Sequence, residues 1–274
     1  MDTPRDLTEG LDDLLREHDL LHLRERVLAV GRPAVALVEP DAGGVPAVRV
    51  GGHPRMPAGV AWPEVEGKSI SFLWEVDLSA LAACQPGLPF PEHGRLLLFS
   101  YSGWYADFFD APEEVLRAWD LADAVSESVL LWIPEDDTGC VERHPKEGTP
   151  VYQPGELHAR PFLSLPNSDD EAAWGRIGLS PEESRRFADA SDAWLDRCAG
   201  EREDTGRNQL GGYAECEQYG VEEAQEGDLT LAVQVASGTQ PVDFAVGDGG
   251  VVFGWGDPEK TGRGDFSGMV WSNQ

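Results

Sequence analysis

At 274 residues the chain is long enough for one large domain or two small ones. Its 41% apolar content, with nine Trp and ten Phe, excludes a disordered acidic tail, and no apolar run reaches bilayer-spanning length. Fifty Asp plus Glu against 21 Lys plus Arg give a net charge of −29, which argues against nucleic acid and anionic membranes as partners and favours a basic protein partner.

The negative residues are spread along the whole chain. The cations are nearly all Arg, with Lys68, Lys146 and Lys260 the only lysines. That skew resembles a GC-rich coding bias, so part of the acidity is compositional. The N-terminus is polar and lacks the short apolar segment of a secretory signal. Cys84, Cys140, Cys198 and Cys216 stand singly, with neither a disulfide framework nor the close pairs that grip zinc. A cytoplasmic protein with reduced thiols and no cofactor is expected.

In chain order, the spacing of Leu7, Leu11, Leu14, Leu15 and Leu21 predicts a helix over 7–30, stopped by Gly31-Arg32-Pro33. His18 and His22 on it have the i, i+4 spacing of a helical zinc motif. Asp19 stands where that motif needs Glu and no third ligand is near, so both read as boundary histidines. Short strands follow over 34–38, 45–50, 70–76, 95–101 and 129–133. In Ser71-Phe72-Leu73-Trp74-Glu75-Val76, large apolar residues at alternate positions fit a half-buried strand. Asp77 caps a helical turn or two at 78–81, and Asp110-Ala111-Pro112-Glu113 starts a second helix.

Residues 135–160 are polar and rich in Gly and Pro, which reads as a long surface loop or a poorly ordered connection. Ser180-Pro181-Glu182-Glu183 then opens the clearest helix, with a capping box, a stripe of Phe187, Trp194, Leu195 and Cys198, and a stop at Gly200. Strands return over 229–235, 251–255 and 268–271.

The two halves echo each other. Gly51-Gly52-His53, Leu73-Trp74-Glu75-Val76 and Gly94 before Leu96-Leu97-Leu98-Phe99 have counterparts in Gly211-Gly212-Tyr213, Ala232-Val233-Gln234-Val235 and Gly249-Gly250 before Val251-Val252-Phe253. The offset is about 160 residues, slipping by about five at the third element, as loops allow. A duplicated unit and a chance recurrence of common ingredients both fit.

These same stretches resemble the YwqG-like family, a bacterial domain family of unknown function. Gly51-Gly52-His53-Pro54-Arg55-Met56-Pro57 with Trp62-Pro63 resembles its glycine-pair and Trp-Pro opening, and Gly94-Arg95-Leu96-Leu97-Leu98-Phe99 its "GxLxFF" strand. Ser71 to Leu78 resembles its "FLxQI(N/D)L" strand, with Glu75 for the usual Gln and Trp74 for a small residue. Asn208-Gln209-Leu210-Gly211-Gly212-Tyr213 resembles "HQLLGYP", with Asn208 for His and Ala214 for Pro. Residues 229–235 and Asp248-Gly249-Gly250 resemble "LLLQ(I/L)" and "WGDxG", with Gly247 for Trp. The resemblance covers roughly residues 30–272. It implies an α+β fold, a bacterial cytoplasmic location and no established reaction. The proximity of some relatives to toxin–immunity gene clusters implies a binding role.

Candidate chemistry is sparse. Gly51-Gly52-His53-Pro54-Arg55 combines a flexible backbone, an imidazole and a forked guanidinium that together suit an anion, although a plain tight turn explains it as well. Asn208, Gln209 and Tyr213 suit either a polar ligand or the satisfaction of buried backbone. Asp248 in Gly247-Asp248-Gly249-Gly250 lacks the Lys-Ser/Thr and helix of a phosphate-binding loop. Arg263-Gly264-Asp265 is an adhesion tripeptide only in an exported protein. No Gly-x-Ser-x-Gly elbow, catalytic-cysteine signature around Cys84 and His93, or dinucleotide fingerprint is found.

The expected fold is α+β: mostly antiparallel strands in one or two curved sheets, with helices at 7–30 and 181–199 packed outside. The N-terminal helix (1–30) precedes a single domain (31–274) with half-units 31–135 and 208–274. The first functional expectation is a non-catalytic, immunity-like or regulatory module that captures a basic protein. The alternative is a small-molecule binder or enzyme with a pocket between the halves, lined by His53, Arg55, Asn208, Gln209, Tyr213 and Asp248.

Overall fold

The computed structural model describes residues 7–65, 67–84, 87–100, 128–134, 139–167, 170–200, 206–215, 229–238, 244 and 250–273. The helix start expected at Asp110 and the candidate residue Asp248 lie outside them. The strands are β1 (Arg32–Val38), β2 (Val45–Val50), β3 (Arg55–Pro57), β4 (Glu64–Val65), β5 (Lys68–Ser69), β6 (Ser71–Asp77) and β7 (Arg95–Ser100). Then come β8 (Ser128–Ile133), β9 (Cys140–Glu142), β10 (Gly155–Ser164), β11 (Gln209–Gly211), β12 (Thr230–Ala236), β13 (Val251–Gly256) and β14 (Val270–Asn273). The helices are α1 (Leu11–Glu17), α2 (Arg24–Val30), α3 (Leu78–Cys84), α4 (Glu171–Ile177), α5 (Pro181–Ala199) and α6 (Pro258–Thr261).

Ten strands form one sheet in the order β14-β13-β12-β11-β1-β10-β2-β6-β7-β8, and every neighbouring pair is antiparallel. A flat ladder of this width would hold its edges on the order of 40 Å apart. Instead, one apolar cluster contains Leu130 of β8 and Val252 of β13, with Trp132 and Trp271 packed against it. The sheet therefore curls until its edges face each other. Gly264, in the turn after α6, lies so close to the Trp132 ring that a Cβ there would come within 2.2 Å of it.

The interior is filled by Val48, Val50, Trp74, Leu96, Leu98, Leu157, Val233 and their neighbours. Outside, α1, α2, α4 and α5 pack over β10 and Tyr213 through Leu11, Leu15, Val27, Ile177, Phe187 and Trp194. The outer face of β6 and β7 is covered as well, by Met56, Trp62 and Ile70. That cover is why Ser71–Trp74 is buried on both faces, where an alternating strand was expected.

The expected single helix over 7–30 is two helices. Asp19 takes a left-handed φ of 56°, Leu20 N–H donates to the Leu15 carbonyl, and a 3-10 turn over Leu21–Leu23 leads into α2. His18 and His22 therefore share no helical face; His22 Nε2 instead meets Glu183 Oε1 at 2.8 Å.

The expected loop over 135–160 contains β9 and the start of β10, a central strand of the sheet. Pro161 masks β10 in the sequence, because proline is disfavoured inside sheets. Pairing with β2 ends at Ala159, so Pro161 lies where one side of the strand has no ladder for an N–H to serve.

The capping box of α5 is present: Ser180 Oγ accepts from Glu183 N–H at 3.3 Å and Glu183 Oε2 accepts from Ser180 N–H at 2.8 Å. Hydrogen bonding to Ser180, then to His22, holds the Glu183 carboxyl down at about 2, from a usual 4.5. A folded value below the unfolded one means that its stabilisation is complete above about pH 4.5 and is lost as pH falls towards about 2. Thermal melts of the protein and of Glu183→Ala should differ at neutral pH and converge in acid. A gap independent of pH would contradict this.

Candidate functional site

The Asn208–Tyr213 segment mostly serves the fold, with Gln209 Oε1 buried and without a hydrogen-bond partner among the described residues. Gln209, fully buried, donates from Nε2 to the carbonyls of Gly211 and Tyr213 at 2.9 and 2.8 Å. Asn208 Oδ1 accepts from Ala236 N–H at 2.9 Å, and the Tyr213 hydroxyl donates to the Val30 carbonyl at 2.7 Å, tying β11 to the end of α2. Burial raises the Tyr213 phenol above its ordinary value, the direction expected for a group kept neutral. Tyr213→Phe leaves the Val30 carbonyl without that donor, and a loss of about 1–2 kcal/mol is expected in denaturant unfolding. No change would mean that the hydroxyl bond contributes nothing net.

Next to this segment lies a buried ionic lock. Arg207 pairs with Asp196 of α5 and with Glu215 at 2.6 Å, and its Nε–H donates to the Gly200 carbonyl at 2.8 Å. Gln234 Nε2 donates to the Arg207 carbonyl and to Glu215 Oε1 at 3.0 and 3.2 Å. Opposite Gln234 in the β11·β12 register stands Gln209.

The other glycine-pair turn, after β2, leads to a different surface. The β3·β9 ladder pairs Arg55 with Glu142 and Pro57 with Cys140. Arg143 N–H donates to the Pro54 carbonyl at 3.0 Å, which extends the ladder until His53 meets His144 with ring centroids 4.2 Å apart. Two-residue alternation thus puts His53, Arg55, Cys140, Glu142 and His144 on one face.

Three charges of the main sheet adjoin it. Glu75 Oε2 accepts from Arg49 Nη2 at 3.2 Å and from Arg95 Nη1 at 2.9 Å. Arg95 Nη2 donates to Cys140 Sγ at 3.2 Å, and Arg55 Nη2 donates to the Cys140 carbonyl at 3.0 Å. Arg49 also donates to the His53 carbonyl at 3.3 Å and lies over the Phe72 ring.

The five described members of the predicted pocket therefore fall into two groups. His53 and Arg55 are together on the β3·β9 ladder, while Asn208, Gln209 and Tyr213 are buried around β11, with β1 and β10 between β11 and β2. Arg49, Glu75, Arg95, Cys140, Glu142 and His144 were missed. Their signals were faint: Glu75 in place of Gln, and the alternation of Cys140, Glu142 and His144 inside an apparent loop.

Among the described residues, no three His, Cys, Asp or Glu gather as a metal site. Arg263-Gly264-Asp265 is a local turn, with Asp265 accepting from Ser267 N–H and Oγ–H at 3.1 and 2.7 Å. No helix among the described residues is long and apolar enough to cross a membrane.

In comparisons with known proteins, residues 48–274 match a family described as a domain of unknown function, DUF1963. No curated protein matches the chain.

Proposed function

The chain belongs to the DUF1963 family, and from that premise we propose that it is a non-catalytic protein-binding module, immunity-like or regulatory, that captures a basic partner. The charge carries this reading: pairing each of the 21 cations with one of the 50 carboxylates leaves 29 unpaired. Glu17, Glu182 and Asp189 on α1 and α5 are exposed, with no ion-pair partner among the described residues. Such a field accelerates encounter with a cationic surface. The motif resemblance to the YwqG-like family points the same way. The pocket reading has less support, because Asn208, Gln209 and Tyr213 already serve internal hydrogen bonds.

We also infer that the sheet is built from two copies of one unit, β1-β2-β6-β7-β8 and β10-β11-β12-β13-β14. The strand order reads identically outward from the β1·β10 pair in both directions. Gly51-Gly52 and Gly211-Gly212 both take positive φ, at 61° and 66° and at 67° and 77°. The bulge between Phe72 and Trp74 matches one between Leu231 and Val233. In this correspondence Gln209 and Gln234 are the counterparts of Arg49 and Glu75, so one copy serves the fold and the other is free to carry charge.

The capture reading is tested with immobilised protein and a panel of small monomeric proteins, half with isoelectric points above about 9 and half below about 5. The salt concentration is about 0.15 M, where distant surface charges are largely screened. Selective retention of basic members is expected. Equal retention of both halves, or of neither, overturns the reading.

A further inference from the structure

We propose that the face shared by His53, Arg55 and His144 is an oxyanion-binding site that takes a carboxylate or phosphate group. It is independent of the capture reading and concerns a place where three arginines gather against the net charge of the molecule. Arg49 and Arg95 converge there on Glu75, and Arg55 stands opposite Glu142 in the ladder register while donating to the Cys140 carbonyl. Glu75 is already shared by Arg49 and Arg95, which fixes those two guanidinium groups beneath the ladder. Arg55 is exposed, donates one hydrogen bond to the Cys140 carbonyl, and has no carboxylate at ion-pair distance among the described residues. Its remaining N–H groups form the forked donor that fits two oxygens of an oxyanion.

The imidazoles add to this. His53 Nδ1 is shielded from solvent and has no hydrogen-bond partner among the described residues, an arrangement costly enough to call for one. The His144 ring packs edge-on against His53, and its Nε2 lies 3.5 Å from Glu142 Oε1. Glu142 is opposite Arg55 in the ladder register, and as the carboxylate beside His144 it is the like charge that an incoming oxyanion meets on this face. If the two-copy reading holds, the counterparts of Arg49 and Glu75 on the other side of the β1·β10 pair are the neutral, buried Gln209 and Gln234, so the charges are particular to this side.

The test is a titration of the ¹⁵N-labelled full chain with sodium phosphate, sulfate, citrate and acetate, each against sodium chloride at matched ionic strength. Saturable shifts centred on Gly52, His53, Arg55 and His144 are expected with at least one oxyanion. Phosphate and sulfate acting alone would identify a phosphoryl ligand, and citrate and acetate acting alone a carboxylate. Arg55→Ala should weaken binding about tenfold or more, and Glu142→Gln should tighten it by removing that like charge. Arg16→Ala, on α1, should leave it unchanged. Shifts no larger than those with chloride, or Arg55→Ala and Glu142→Gln variants that bind like the parent, would overturn the proposal.

Discussion

Arg207→Ala is expected to destabilise the protein by about 3–5 kcal/mol, the range for removing one partner of a buried charge pair. The Arg207 side chain is 8% exposed and Glu215 11%, so the carboxylate left behind has little water to replace its partner. Asp196 is half exposed and recovers solvation, so most of the cost falls on Glu215. The loss spreads further, because Glu215 and the Arg207 carbonyl both hold Gln234 in β12 and Arg207 Nε caps α5 at Gly200. Urea unfolding should show a lower midpoint for Arg207→Ala. The double variant Arg207→Met/Glu215→Gln should recover part of the loss, since the carboxylate it leaves unpaired, Asp196, is half exposed to water. A single variant with parental stability would mean that the lock is not a structural element.

Gly51→Ala should cost roughly 2–4 kcal/mol, from left-handed backbone strain plus a displaced neighbour. At φ 61° a Cβ would lie 2.2 Å from the Gln153 carbonyl oxygen and 2.8 Å from that of Tyr152. Both are backbone atoms, so no side-chain rotation relieves the contact. The turn also donates from Gly51 N–H to the Leu73 carbonyl at 2.8 Å and from Gly52 N–H to the Tyr152 carbonyl at 2.9 Å, joining β2, β6 and the approach to β10. Gly148 is the control: it sits third in the turn closed by Thr149 N–H to the Lys146 carbonyl, with φ 89° and nothing within 4 Å of where a Cβ would stand, so Gly148→Ala should cost only the strain, about 1–2 kcal/mol. Equal effects at the two positions would show that the close approach is not what makes Gly51 glycine.

Much of the fold was legible because strand and cap signals are local. Residues 45–50 and the helix 181–199 were read with the bounds observed, and most other described strands to within one or two residues. What escaped depends on partners distant in sequence. The strand β10 looks like loop until β1 and β2 are seen to flank it, and only the end of β2 pairing at Ala159 explains Pro161. The break in the first helix lies in one residue, Asp19, since the leucine spacing continues across it.

The candidate site was half legible for the same reason. His53 and Arg55 stand in a marked glycine turn, but their partners arrive from β2, β6, β7 and β9. Conversely, Asn208-Gln209 and Tyr213 look like ligand readers in a linear sequence. Only the positions of Ala236, Gly211 and Val30 show that their hydrogen bonds close on the protein itself.

The reading of the protein as an electrostatically steered binder is tested most directly by association kinetics. Stopped-flow rates with a basic panel protein that it retains, measured from about 20 to 500 mM sodium chloride, should fall at least tenfold while dissociation changes less. An association rate flat across that range would show that the surplus of carboxylates does not guide capture.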